Sequence, residues 1–264
     1  MLPIISNNSM TRELTNYYIH LARSDLARYT TCMPAKNIVK LYVEGGYYHI
    51  YNRGIDKQTI FLDDDHYRVF LSSLKQLLLP PDKVKPLPHT FTVQGRTLHG
   101  ITHKRKNYYG KIELLVYCLM PNHFHLLIHQ PVQRAIDQFM QSLSIRYSLF
   151  FNKTHKRVGP VFQSLYKAIN VTEEPYLLHL SRYIHRNPLK YTKDLKNAYS
   201  SYGEYLGLRK TEWIKPEIVL ASFEPTKLPF LKHTNTYKSF VEYDNEELDQ
   251  YIDSSLALED DKLL

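Results

Sequence analysis

Read for polarity alone, the chain falls into blocks with two different periods. Residues 46–53 (GYYHIYNR) are aromatic and strand-like, and Asn52, Arg53 and Gly54 supply the turn that ends them. Further on, Tyr67, Phe70, Leu71, Leu74, Leu77 and Leu78 recur at spacings of three and four. This predicts an amphipathic helix, opened by the carboxylates of residues 63–65 and closed by Pro80 and Pro81. Residues 80–108 are rich in proline, lysine and histidine and lack a helical period, so a basic loop or short hairpin is expected there. A second strand follows over 111–120, then a turn at Pro121 and Asn122, then a third strand over 123–130. Both strands of this hairpin are apolar.

A longer helix is predicted over 132–152, with Ile136, Phe139, Met140, Leu143, Tyr147 and Phe150 near one face. After a basic turn, KTHKRVGP, residues 166–171 (YKAINV) read as a fourth strand. A helix over 173–187 then ends at Pro188, which cannot extend it comfortably. The order β-α-β-β-α-β plus a helix predicts an α+β fold: a ferredoxin-like antiparallel sheet with helices on one face. RNA-recognition modules share this plan, so the fold alone selects no function.

Outside this core, residues 1–39 read as an N-terminal extension, 196–240 as short helices and loops, and 241–264 as an acidic tail. The tail holds nine acidic residues and one lysine, which leaves residues 1–240 with 33 basic against 17 acidic side chains. So basic a body seeks polyanions, and 22 tyrosines with 11 phenylalanines suit base stacking as well as packing. Cys32 and Cys118 are too few for a cysteine-based metal framework, and Cys118 lies in an apolar run where a buried free thiol is the ordinary outcome. No apolar stretch approaches the roughly 18 residues of a membrane span, and the N-terminus lacks a signal pattern. The expected location is the cytoplasm, at the nucleoid.

Candidate chemistry centres on VYCLMPNHFHLLI (116–128). Strand alternation points His123 and His125 to the same side, where two imidazoles can grip one divalent ion. With 13 histidines in the chain a His-x-His tripeptide is weak alone, and its surroundings must carry the argument. In the following helix Tyr183 and Asn187 stand at i and i+4, on one face. Tyr147 is the rival phenol, but its spacing with Leu143 and Phe150 favours core packing.

Four blocks, in order, resemble the REP-associated tyrosine transposases, relatives of the single-tyrosine HUH transposases with an IS200-like domain. They are YYHIYNRGIDKQTIFLDDDHYRVFL (47–71), VYCLMPNHFHLLI, RVGPVFQSLYKAINV (157–171) and YLLHLSRYIHRNPLKY (176–191). The resemblance spans about residues 40–195, weakens over 80–108 and is absent from the first 32. It implies that His123 and His125 bind a divalent metal, Mg2+ or Mn2+, with Asn187 as third ligand and Phe124 turned into the core. It further implies that Tyr183 is the nucleophile, cutting and rejoining single-stranded or hairpin-bearing repeat DNA through a 5′-phosphotyrosine linkage. Related enzymes include both monomers and helix-exchanging dimers, so a homodimer is open. A domesticated, non-catalytic nucleic-acid-binding module on the same fold is the alternative. Lys153, Lys156, Arg157, Lys167, Arg182, Arg186 and Lys190 are candidate phosphate contacts, as is Arg53, which could instead hold its own turn.

Overall fold

A computed structural model describes residues 42–84, 88–93, 96–101, 106–223 and 236–243, all within the unit Leu41–Leu264. Strand β1 (Gly46–Arg53) leads to helix α1 (Asp64–Leu78), the hairpin β2 (Pro88–Val93) and β3 (Arg96–Ile101), and the hairpin β4 (Glu113–Met120) and β5 (His123–Gln130). Helix α2 (Ala135–Thr154), strand β6 (Lys167–Val171) and helix α3 (Glu174–Arg186) follow. The main sheet is antiparallel with order β4-β5-β1-β6, which makes the fold α+β and ferredoxin-like. The polarity pattern located β1, α1, β4, β5, α2, β6 and α3; the basic insertion, for which a loop or short hairpin is expected, holds the β2–β3 hairpin.

Alternation along the strands divides the molecule. Ile50, Phe124, Leu126 and Ile128 point to one face and pack with Phe70, Leu74 and Leu77 of α1 and Phe139, Met140 and Tyr147 of α2. On the opposite face Cys118 and Leu127 pack with Leu178, Leu180 and Ile184 of α3. Two helices therefore cover one face and the tyrosine-bearing helix covers the other. A sheet buried on both sides explains why β4 and β5 read as nearly continuous apolar runs.

Local chemistry sets the boundaries. Asp63 caps α1 by accepting from the backbone N–H of His66 at 3.1 Å. The first residue of α2 follows Arg134 in a left-handed conformation, and the buried Gln130 side chain accepts the free N–H of Ile136 at 2.9 Å. Gly54, after β1, has no room for a side chain: a Cβ there would run into the carbonyl of Gln58. Helix α3 ends at Arg186, just ahead of Pro188, as expected. The chain continues as a short 3-10 turn (Asn187–Lys190), where proline stands near the start and its missing N–H costs little.

The returning foot of the β2–β3 insertion is clasped to the end of α1, from which the insertion departs. The Asn107 side chain donates to the Leu79 carbonyl at 2.7 Å, and the Tyr108 N–H donates to the Leu77 carbonyl at 2.8 Å. Beyond α3, short helices α4 (Tyr202–Tyr205), α5 (Glu217–Leu220) and α6 (Tyr237–Glu242) complete the described chain. Residues 199–215 line the outer edge of β4, through Leu119 N–H to the Tyr199 carbonyl at 2.8 Å and Lys215 N–H to the Leu114 carbonyl at 2.9 Å. That covers an otherwise unpaired strand edge. Residues 1–39, Cys32 among them, and the acidic tail beyond Tyr243 lie outside the described residues.

Candidate active site on the α3 face of the sheet

Because Phe124 enters the α1/α2 core, His123 and His125 emerge together toward α3, as strand geometry requires. Both are buried, and their rings lie 5.1 Å apart at nearly a right angle. The Nδ1 of His123 donates to the Oδ1 of Asn122 at 2.6 Å, which leaves the lone pair on Nε2. The Nδ1 of His125 meets the Nε2 of a third histidine, His49 of β1, at 2.9 Å. Burial holds His125 neutral, far below the usual imidazole range, with His123, His49 and Lys190 adding to the effect; burial alone takes His49 to about 3. Neutral imidazoles are the form that binds metals.

Helix α3 delivers the phenol. The half-buried Tyr183 ring stands perpendicular to that of His125, centroids 5.8 Å apart. One turn on, Asn187 is buried and its side-chain amide donates to the Tyr183 carbonyl at 3.1 Å. That bond directs the amide nitrogen into the helix and leaves Oδ1 as the outward-acting atom. The Nε2 of His125 and the Oδ1 of Asn187 are both buried and make no hydrogen bond among the described residues. Each such atom ordinarily costs about 1–3 kcal/mol. Two nitrogens and an amide oxygen fit a divalent cation of intermediate softness. Among the described residues no three His, Cys, Asp or Glu side chains are gathered for a metal, so the set depends on the amide.

The candidate phosphate-binding residues separate. Lys153 is exposed on the last turn of α2 and Lys156 just beyond it, and Lys190 is exposed on the 3-10 turn after α3, near enough to act electrostatically on His125 and Cys118. Lys167 places its ammonium 5.7 Å from the centre of the Tyr51 ring. Arg182 is a correction: it is buried, and its guanidinium donates to the carbonyls of Phe240 at 2.8 Å and Tyr243 at 2.6 Å. It therefore pins the end of α6 and faces no phosphate. Arg186 donates to the neighbouring Val241 carbonyl at 2.9 Å. Arg157 donates to Gln58 and to the Pro160 carbonyl, and Arg53 to Gln163, so both brace loops.

Tyr147 is fully buried in the α1/α2 core and donates to the Ile60 carbonyl, on the far side of the sheet from the histidines. Cys118 is a buried free thiol facing His125 across the β4–β5 ladder. Sequence reasoning missed His49. Its strand was recognised, but the pairing of β1 with β5 that sets Tyr51 opposite His125 and His49 two residues along has no local signal in the residues.

The chain thus sets a His-x-His strand of a ferredoxin-like sheet beneath a tyrosine-bearing helix. Residues 93–187 match the family model described as transposase IS200 like, and the matched segment contains His123, His125, Tyr183 and Asn187. Over those residues the chain is similar to the IS200-like transposases, the family whose resemblance its motifs carry. Among solved structures, the REP-associated tyrosine transposase bound to a REP hairpin aligns at 13% identity with a TM-score of 0.46, covering 68% of this chain and 92% of that one. A candidate transposase from Deinococcus radiodurans R1 aligns at 15% identity with a TM-score of 0.31, covering 57% of this chain and 97% of that one. No curated protein matches.

Proposed function

We propose that the protein is a metal-dependent single-strand DNA endonuclease and strand transferase that acts on hairpin-bearing repeat DNA. The observation that carries this reading is the Tyr183 ring set against His125, whose bare Nε2 is buried, with the bare Oδ1 of Asn187 one turn further along the same helix. His123, His125 and Asn187 would hold Mg2+ or Mn2+, which when bound supplies Lewis-acid polarisation of the scissile phosphate.

The Tyr183 hydroxyl attacks phosphorus and gives up its proton. The bond from phosphorus to the 3′ oxygen breaks, and that oxygen takes up a proton to leave as a 3′-hydroxyl. The 5′-phosphate side stays on Tyr183. A phenol with an ordinary pKa near 10 is a poor nucleophile until its proton is removed, so the site's electrostatics matter as much as its geometry. A phosphotyrosine diester keeps roughly the bond energy of the diester it replaces, so a second 3′-hydroxyl can displace Tyr183 and reseal the strand without a nucleotide cofactor. The exposed cations Lys153, Lys156 and Lys190 would contact backbone phosphates.

The test is incubation with a single-stranded repeat hairpin, with and without Mn2+, followed by denaturing electrophoresis. A metal-dependent covalent protein–DNA adduct is expected. Tight binding without an adduct across metals and repeat substrates would instead establish a non-catalytic binding module.

A further inference from the structure

The proposed function uses only one nitrogen of His125, and the other lies 2.9 Å from the Nε2 of His49 on the adjacent strand. We infer that His49 is a positioning residue of the metal site: it accepts the Nδ1–H of His125 and so holds that ring in the tautomer whose Nε2 lone pair is open to the ion. The inference rests on the metal reading given above and adds a residue to it.

Proton counting comes first. Two neutral imidazoles in contact share one proton between the facing nitrogens. If His49 were the donor, His125 would carry its own proton on Nε2 and could not be a ligand. Ligation by His125 therefore requires His49 to be the acceptor. Metal-bound histidines as a rule donate their second N–H to a carboxylate, carbonyl or water, which fixes the ring and raises its basicity. Here an imidazole takes that part.

Packing fixes the pair. His49 is fully buried, stacks on Tyr51 with centroids 4.9 Å apart, and lies within 16° of parallel to His125 with centroids 5.1 Å apart. It touches the Nδ1 edge of His125, so it does not reach an ion held at Nε2 and is not a fourth ligand. The remaining nitrogen of His49, Nδ1, is buried and makes no hydrogen bond among the described residues. A position that served packing alone would be better filled by an apolar side chain, and the orphaned nitrogen calls for a compensating role.

Two-bond 15N–1H correlation spectra of histidines in the metal-free full chain read the tautomer directly. His125 is expected as the Nδ1–H form in the wild type and shifted toward Nε2–H in His49→Phe, which keeps a ring and loses the acceptor. In calorimetric titration with Mn2+, His49→Phe should bind about ten- to a hundredfold more weakly, while His49→Gln, whose amide oxygen still accepts, should stay within a few-fold of wild type. An unmoved His125 tautomer in His49→Phe, or Mn2+ binding by that variant at wild-type strength, overturns the inference. If His49→Phe does not fold, an Nε2–H His125 in the wild type, or a full loss of binding in folded His49→Gln, overturns it instead. Absence of any wild-type Mn2+ binding that His123→Ala removes would defeat the proposed function, and the tautomer measurement would still judge His49 separately.

Discussion

On the α1/α2 face of the sheet, β1 and β5 present Tyr48, Ile50, Phe124, Leu126 and Ile128; on the α3 face the alternate residues of the same strands are His49, Tyr51, His123, His125 and Leu127. Both faces are buried. One is close to a pure hydrocarbon and aromatic core, whereas the other keeps bare polar atoms out of water beside a half-buried phenol. Burying apolar area stabilises, at roughly 25 cal/mol per Å2, while burying a polar atom without a partner costs free energy. The first face thus holds the fold together, and the second spends part of that stability to keep ligand atoms available.

The contrast breaks most completely if the wrong face carries the chemistry. Tyr183→Phe keeps the ring and should remain folded and bind DNA while forming no covalent adduct on denaturing gels. Tyr147→Phe should still form the adduct and lose about 1–3 kcal/mol of stability, because the Ile60 carbonyl is left unpaired in the core. Peptide mapping of a trapped adduct to Tyr147 would reverse the assignment of the two faces.

Next in size is the histidine pair. His123→Ala or His125→Ala should abolish Mn2+-dependent cleavage and leave hairpin affinity within a few-fold, since phosphate contacts dominate binding. Filter binding and cleavage on the same preparations separate the two effects.

A stability comparison sharpens the same point. Phe124→Ala should cost about 3–5 kcal/mol in urea unfolding, the penalty of a cavity in a packed core. Asn187→Leu, similar in volume and free of the bare oxygen, should change stability by only about 1 kcal/mol, yet weaken Mn2+ binding in calorimetry. Equal losses from the two would mean that the α3 face is ordinary core.

The smallest effect concerns the rim. Lys190→Ala should reduce the slope of log affinity against log salt for single strands by about 0.7, the contribution of one phosphate. Arg182→Ala should leave that slope unchanged, because its guanidinium is committed to the α6 carbonyls.

Spacings of three and four located α1 and α2, while β1, β4, β5 and β6 were legible as aromatic or apolar runs bounded by turn residues, since a sheet buried on both sides leaves little alternation to read. Alternation put His123 and His125 on one strand face and helical spacing put Tyr183 and Asn187 on one helix face, while only the resemblance singled the four out together. His49 escaped because its role depends on strand register, which is a long-range property. Arg182 was misplaced for a related reason. A charge in a basic stretch reads as solvated surface until the carbonyl end of a helix 58 or more residues away in sequence is known to lie against it. Pro188 marked the end of the α-helix correctly but gave no sign of the tighter turn that carries the chain on to Lys190.

The clasp formed by Asn107 and Tyr108 on the last turn of α1 has an evolutionary and practical reading. It ties the chain returning from the β2–β3 excursion to the helix from which the excursion departs, so the two ends of the loop are held side by side. Once such a junction exists, doubling the length of a flexible excursion adds only about 0.6 kcal/mol. The junction is therefore a socket. By that arithmetic an engineer can shorten the hairpin or graft a foreign domain there at small cost to the sheet and helices beneath.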